Sequence, residues 1–346
     1  MAEMMKLVRV HGPGDMRLDD VPVPVPGPRD VVVRVLASGI CGSDLGYVAQ
    51  GGLGGAEPLK EPLPIGHEFA GVVESVGGEV EEGIRPGLRC AVNPDDGYIG
   101  GGGPEGAMAP FILIPNARIG STLFPIPDAL SADRAALAEP LSVALHGINI
   151  AQVTPESRVA VLGAGPIGLS AVVMLRHKGV KDIVAVDLSD ARLEKARQLG
   201  ATATVNPLRQ PMAEALGELH GKGERFGVPY VGTDVFLDAA GSIKALEDAF
   251  DVAKFRAKLI IIALYKKPLQ LNLFKMMANE ILISGSIAVE RHAEFGECLD
   301  MLAKGEIDVE PLISHRIAFE RVDEAFKIAA DADASAKVML TFGERA

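Results

Sequence analysis

Apolar runs and turn residues divide the chain into two textures. Up to about residue 150 the apolar segments are short and Gly and Pro recur between them. DVVVRVLASGI (30–40) reads as a buried strand, EFAGVVESVG (68–77) as a second, and Pro22, Pro24, Pro26 and Pro28 as an extended connection. This spacing predicts a small barrel-like β domain. After Thr154-Pro155 strands and helices alternate. Apolar segments at 158–162, 182–187, 202–205, 234–239, 258–264 and 281–286 are separated by helical patterns such as 169–179 and 190–200. Such alternation predicts an α/β unit with a doubly wound parallel sheet covered on both faces. Beyond residue 288, AEFGECLDMLAKGEI reads as one more amphipathic helix, and short segments lead to VMLTF. That tail has too few elements for a domain of its own and is expected to pack on the N-terminal part.

The first α/β strand runs into Gly163-Ala164-Gly165-Pro166-Ile167-Gly168, a G-x-G-x-x-G that opens a helix. Gly163 allows the tight turn, Gly165 lets a pyrophosphate approach the backbone, and Gly168 lets helix pack on strand. The helix N-terminus adds free N–H groups and a positive dipole end. Asp187 ends the next strand, where a carboxylate accepts hydrogen bonds from an adenosine ribose and repels a 2′-phosphate, favouring NAD over NADP. Arg192 stands close enough to argue for the opposite cofactor and is kept with the cofactor residues, although its plain reading is a solvated charge on a helix face.

Composition narrows the class. The chain has 346 residues, 48% of them hydrophobic and 23% charged, so a sizeable core and two domains are expected. A net charge of −12 with no Lys/Arg block argues against nucleic-acid or membrane-surface partners. No signal peptide and no run of membrane-spanning length stand out. The three cysteines, Cys41, Cys90 and Cys298, make no disulfide framework and fit a reducing, cytoplasmic setting.

Cys41 and Asp44 follow a strand, Gly66-His67-Glu68 opens another, and Glu139 starts a helix. Thiolate, imidazole and carboxylate are all competent zinc ligands, and three protein ligands with one open position define a catalytic site. Each residue also has a plain reading: a small buried Cys, a surface His, an ordinary helix start. They stand far apart in the chain, so spacing alone leaves both readings open.

CGSD (41–44), GHEFAGVVESVG (66–77) and EPLSVALHG (139–147), followed by the glycine motif, resemble the medium-chain zinc-dependent alcohol dehydrogenase superfamily. The Glu-Pro-Leu-Ser-Val form is similar to its polyol branch of sorbitol, butanediol and threonine dehydrogenases. The resemblance runs over nearly the whole chain, to Ala336-Lys337-Val338. It implies a GroES-like catalytic domain over 1–152, completed by 288–346, and a Rossmann NAD-binding domain over 153–287. Cys41 and His67 match catalytic zinc ligands, and Glu68 and Glu139 match two carboxylates that share the remaining coordination. Asp44 would accept a hydrogen bond from the His67 ring, and Ser43 would contact the substrate alcohol.

Two departures stand out. Many members hold a second, structural zinc in a four-cysteine lobe, but the corresponding stretch from Asn93 to Gly106 has no cysteine. One zinc is therefore expected, and Gly100–Gly103 reads as a flexible loop, either lining the substrate entrance or merely connecting. The histidine that often ends a proton relay is Gly46 here. The adjacent Tyr47 would point elsewhere on an extended chain and receives no role.

The resemblance implies reversible hydride transfer between a secondary alcohol, polyol or diol and NAD, in a homodimer or homotetramer paired through the 281–287 edge. Two alternatives are a zinc-free NADPH-dependent enone reductase of the same superfamily and a non-catalytic NAD-binding protein on this fold.

Overall fold

The computed structural model describes residues 3–53, 59–265, 267–287, 292–331, 333 and 335–343. Two compact units emerge: residues 1–139, 290–306 and 313–346, and residues 140–289 with 307–312. The boundary expected at residue 288 lies outside the described residues.

The first unit is built around the strand Val31–Gly39, buried at every position except Arg34 and Leu36. A strand that apolar needs cover on both faces. It pairs antiparallel with Glu68–Val76, Phe111–Ile114 and Lys337–Thr341. The sheet runs Ile313–Ala318, Lys337–Thr341, Val31–Gly39, Glu68–Val76, Arg89–Val92, Leu123–Pro125, with Phe111–Ile114 beside the central strand. Val31, Val33, Phe69, Ile112 and Leu123 fill one core; Val8, Ile65, Met108, Phe326 and Val338 fill another. The register sets Gly39 opposite Glu68, which brings the end of one strand to the start of the next at the residues of chemical interest.

The second unit is a six-stranded parallel sheet in the order Ala203–Val205, Asp182–Val186, Arg158–Leu162, Val235–Asp238, Lys258–Ile261, Leu282–Gly285. This is the doubly wound Rossmann order, and the glycine motif follows the strand at which the order reverses. The helices Pro166–His177 and Asp190–Leu199 fall where the patterns place them. The fifth strand is shorter than its apolar run, because the N–H groups of Ile262 and Ala263 turn to the Asp238 carbonyl (2.9 and 3.0 Å).

The pattern also missed a hairpin, Lys222–Arg225 with Val228–Val231. Its turn residues Phe226 and Gly227 take φ of 52° and 76°. A tight two-residue hairpin asks for two positive φ values, but Phe in the first place lacks the Asn/Asp signal that usually announces one. Among the described residues, no helix is long and apolar enough to cross a membrane.

Candidate functional site

The first cluster grows from the end of the central strand of the first unit. The chain leaves it through Cys41 into a helix, Gly42–Gln50, of which Cys41 is the N-cap. Sequence reasoning expected a turn and an extended chain here, and the helix changes what Tyr47 can do. Ser43 and Tyr47 stand four residues apart on one helix face, which sets Ser43 beside the Tyr47 phenol. Burial pushes the Tyr47 phenol up.

Asp44, fully buried, holds the site's framework. Its Oδ2 accepts from the Cys41 N–H (2.9 Å) and its Oδ1 from the Gly66 N–H (3.1 Å). One carboxylate thus ties the Cys41 and Gly66–His67 segments together. The expected hydrogen bond from the His67 ring is not made: Nδ1 stands 3.7 Å from Asp44 Oδ1 and, though shielded from solvent, has no hydrogen-bond partner. Each Asp44 oxygen already accepts from an amide, and at 3.7 Å the ring contact is electrostatic.

Ligand atoms of Cys41, His67 and Glu68 lie within 4.8 Å of one another. Glu68 is buried; its Oε1 accepts from Lys337 Nζ (2.6 Å), while its Oε2 is shielded and has no hydrogen-bond partner. Gly39 makes the room: a Cβ there would stand 2.1 Å from Glu68 Oε2. Lys337, also buried, donates a second bond to the Ile40 carbonyl (3.1 Å). Glu139 lies buried in the first turn of the helix Ala138–Ala151. It acts on His67 and Lys337 through its charge but is outside the close trio.

The electrostatics suit a cation. Burial opposes the charged form of His67, yet Asp44, Cys41 and Glu139 outweigh it and raise its pKa well above the ordinary value. Burial likewise opposes the Lys337 ammonium, and Glu68, Cys41 and Glu139 outweigh it. The Asp44 carboxyl is pushed up by burial, against the pull of His67, the two amides and Lys337. A thiol, an imidazole and a carboxylate with an unpartnered oxygen, set in a negative field, form a donor set that zinc accepts.

Sequence reasoning missed Lys337 and Gly39. A lysine inside the apolar run AKVMLTF was the available signal, since a buried ammonium demands a buried carboxylate. Cys90 and Cys298 are buried and stand outside the metal-ligating group found among the described residues, with the Cys90 thiol pushed up to about 12 by burial.

The second cluster lies in the other unit. Gly163 takes φ of 90°, and a Cβ there would stand 2.9 Å from the Ala240 backbone; on Gly168 it would meet the Gly163 carbonyl at 1.8 Å. These glycines permit the turn and the helix-on-strand contact. Gly165 caps the helix Pro166–His177, with Pro166 and Ile167 in its first turn. A Cβ on Gly165 would meet only Arg192 Nη1, at 3.6 Å, so an anion has access to the backbone there. Asp187 binds the loop from below, accepting from the N–H groups of Ala164 (2.7 Å) and Ser189 (2.8 Å). Arg192 is not the solvated charge expected: it is half-buried, its Nε is shielded without a hydrogen-bond partner, and its guanidinium leans toward the glycine loop. A cradle of main-chain N–H groups flanked by one carboxylate and one guanidinium fits a dinucleotide.

Known proteins share both halves. Residues 27–128 match the alcohol dehydrogenase GroES-like domain and residues 166–304 the zinc-binding dehydrogenase family. Sorbitol dehydrogenase of Macaca fascicularis is 31% identical over 92% of this chain and 90% of its own. L-idonate 5-dehydrogenase of Vitis vinifera is 32% identical over 92% and 89%. The crystal structure of 2R,3R-butanediol dehydrogenase from Bacillus subtilis is similar at a TM-score of 0.84, with 26% identity over 97% of this chain and 99% of that one. Identity sustained over nearly the full length of both partners, with the two family matches in the same order, means that the chain belongs to the zinc-dependent medium-chain alcohol and polyol dehydrogenase family.

Proposed function

We propose that this oxidoreductase moves a hydride reversibly between a secondary alcohol of a polyol or diol and NAD, with one zinc at Cys41, His67 and Glu68. The convergence of those three ligand atoms carries the reading. Glu68 is the resting carboxylate ligand in this reading, because it stands in the close trio and keeps an unpartnered oxygen. Glu139 is held in reserve, near enough to act through its charge. Zinc supplies Lewis acidity toward an alcohol oxygen, and the nicotinamide supplies the hydride acceptor.

The chain's own residues do the rest. Ser43 takes the substrate's hydroxyl proton and passes it to the Tyr47 hydroxyl or to water. Lys337 balances the Glu68 charge, and Asp44 fixes the spacing of the Cys41 and His67 segments. In the other unit the N–H groups after Gly163 receive the pyrophosphate. Asp187 disfavours a 2′-phosphate, and Arg192 serves the pyrophosphate side of the cofactor, which supports NAD over NADP.

The outer edge of Leu282–Gly285, unpaired among the described residues and close in sequence to exposed Leu273, Phe274, Met277 and Ile287, supports pairing with a second copy, as dimer or tetramer. Three cysteines that form no disulfide among the described residues suit a reducing, cytoplasmic setting. The test is metal content of the purified protein together with NADH formation over a panel of polyols, diols and amino alcohols. Zinc at one per chain and loss of NADH formation in Cys41→Ala support the reading. Zinc-free protein, or a fully active Cys41→Ala, overturns it.

A further inference from the structure

The glycine-rich stretch before Met108 is not the flexible loop its composition suggests. The N–H groups of Gly101 and Gly103 both donate to the Tyr98 carbonyl (2.9 Å each), that of Gly100 to the Glu105 carbonyl (2.8 Å), and that of Ile99 to the Pro94 carbonyl (3.1 Å). Ile99 is buried in the core of the first unit, and Gly100 and Gly106 are buried too, whereas Gly101 and Gly102 are exposed. The loop is closed on itself and anchored.

Its buried glycines lie against one place, the peptide that precedes His67. A Cβ on Gly100 would stand 2.2 Å from the Gly66 carbonyl oxygen and 2.6 Å from its carbon. A Cβ on Gly106 would stand 2.6 Å from the Ile65 carbonyl oxygen and 2.7 Å from its nitrogen. Gly66 itself takes φ of 92°, and a Cβ on it would meet Met108 Cγ at 2.6 Å. Across the same contact, Ala107 N–H donates to the Gly66 carbonyl (2.9 Å) and Met108 N–H to that of Ile65 (3.2 Å). At Gly100 and Gly106 main chain therefore lies directly on main chain, with no side-chain rotamer to give way. On the other side Gly66 N–H is held by Asp44, whose second oxygen holds Cys41 N–H.

We propose that the loop from Tyr98 to Met108 is a positioning element for the metal ligand His67, clamping the Ile65–Gly66 peptide through Gly100 and Gly106 against the Asp44 carboxylate. The proposal rests on the metal reading above and adds a residue class that ligand motifs do not contain. His67 follows the clamped peptide directly, so its distance from Cys41 is set by backbone contacts rather than by the imidazole's own hydrogen bonds, of which Nδ1 makes none. Rigid support of this kind is what a metal site needs from the residues around its ligands.

The experiment uses the full chain, stripped of metal and titrated with Co2+ alone. Gly106→Ala is the principal variant, because Gly106 has no positive φ and only proximity excludes a side chain there. Gly100→Ala is the second. Gly101→Ala, whose Cβ would meet nothing nearer than 3.7 Å, and Gly102→Ala, strained at φ of 111° but touching only a Leu53 methyl, are controls. Expected are a Co2+ affinity about 10- to 100-fold lower in the two principal variants, shifted thiolate-to-cobalt and d–d bands, a lower kcat, and an unchanged KM for NAD. Both controls keep wild-type Co2+ binding. In the wild-type protein the Ala107 and Met108 amides exchange with deuterium as slowly as their strand neighbours.

Wild-type affinity and spectrum in Gly106→Ala, equal losses in Gly102→Ala, or fast exchange at Ala107 and Met108 would each overturn the clamp. If Gly100→Ala fails to fold, Gly106→Ala and the wild-type exchange rates decide. A wild-type protein that takes up no Co2+ overturns the metal reading itself, which is a separate result.

Discussion

Lys337 Nζ stands 2.6 Å from Glu68 Oε1, and both side chains are almost wholly excluded from water. The two residues, far apart in the chain, are brought together by the pairing of the Lys337–Thr341 and Glu68–Val76 strands on either side of Val31–Gly39. Removing one partner of a buried pair leaves the other charge unbalanced, at a cost of about 3–5 kcal/mol. Lys337→Met is expected to unfold at correspondingly lower denaturant and to regain part of the loss when Zn2+ is added, since a cation at Glu68 then takes over the balance. Equilibrium unfolding with and without Zn2+ checks this; a variant as stable as wild type in chelator would contradict it.

Gly46 lies inside the helix Gly42–Gln50, and a Cβ there meets nothing within 4 Å. Gly46→His therefore fits without repacking, and replacing a mid-helix glycine adds roughly 0.3–0.5 kcal/mol of helix stability. Turnover in the variant is expected to acquire a new pH dependence near the ordinary imidazole value of about 6.5. The pH profile of kcat measures it. An unchanged profile would mean that the proton leaves by the Ser43–Tyr47 route alone.

Asp187 both receives two loop amides and, in our reading, faces the adenosine ribose. Asp187→Ala is expected to raise KM for NAD roughly tenfold and to narrow the preference for NAD over NADP, since a like charge no longer meets the 2′-phosphate. Arg192→Ala, by contrast, weakens both cofactors together. Steady-state kinetics with each cofactor separates the two roles.

His220, at the far end of the nucleotide-binding sheet, links Thr233 Oγ1 (2.7 Å from Nδ1) to Asp182 Oδ1 (3.2 Å from Nε2). Burial lowers its pKa below the ordinary 6.5, with Arg158 adding to the effect and Asp182 and Asp234 opposing it. The unfolded chain then binds the proton more readily than the folded one. Stability from this group is complete above about pH 6.5 and is lost as the pH falls through the interval between the unfolded and folded values. Wild type is expected to lose more stability than His220→Gln between pH 7 and pH 5. Parallel slopes in denaturant titrations would remove His220 as the cause.

Much of this was legible in the sequence, for definite reasons. The parallel strands of the second unit are continuous apolar runs with turns between them, and Gly163 and Gly168 stand where the backbone leaves no room for a side chain. Cys41 and His67 were named from chemical type and family resemblance, with Glu68 and Glu139 left to share the remaining coordination; only the folded chain sets Glu68 in the close trio. What stayed hidden depended on main chain or on distance. Asp44 spends its carboxylate on two amides, which no side-chain pattern displays. The helix that joins Ser43 to Tyr47 contains Gly42 and Gly46, poor helix formers that disguise it. Lys337 reaches Glu68 only once strands from opposite ends of the chain are adjacent, and Gly100 and Gly106 matter for what they lack.

The strand that brings Lys337 also sets an order of events during synthesis. A ribosome completes the whole stretch from residue 140 to 289 before it reaches this lysine, so the nucleotide-binding sheet has all its strands while the first unit still lacks the neighbour of Val31–Gly39. Units that fold as they emerge would leave Glu68 without its counter-charge through that interval. Under that order the dinucleotide cradle would form while the Glu68 carboxylate is still unbalanced, a stage at which a captured metal ion would serve as a folding partner before it served any chemistry.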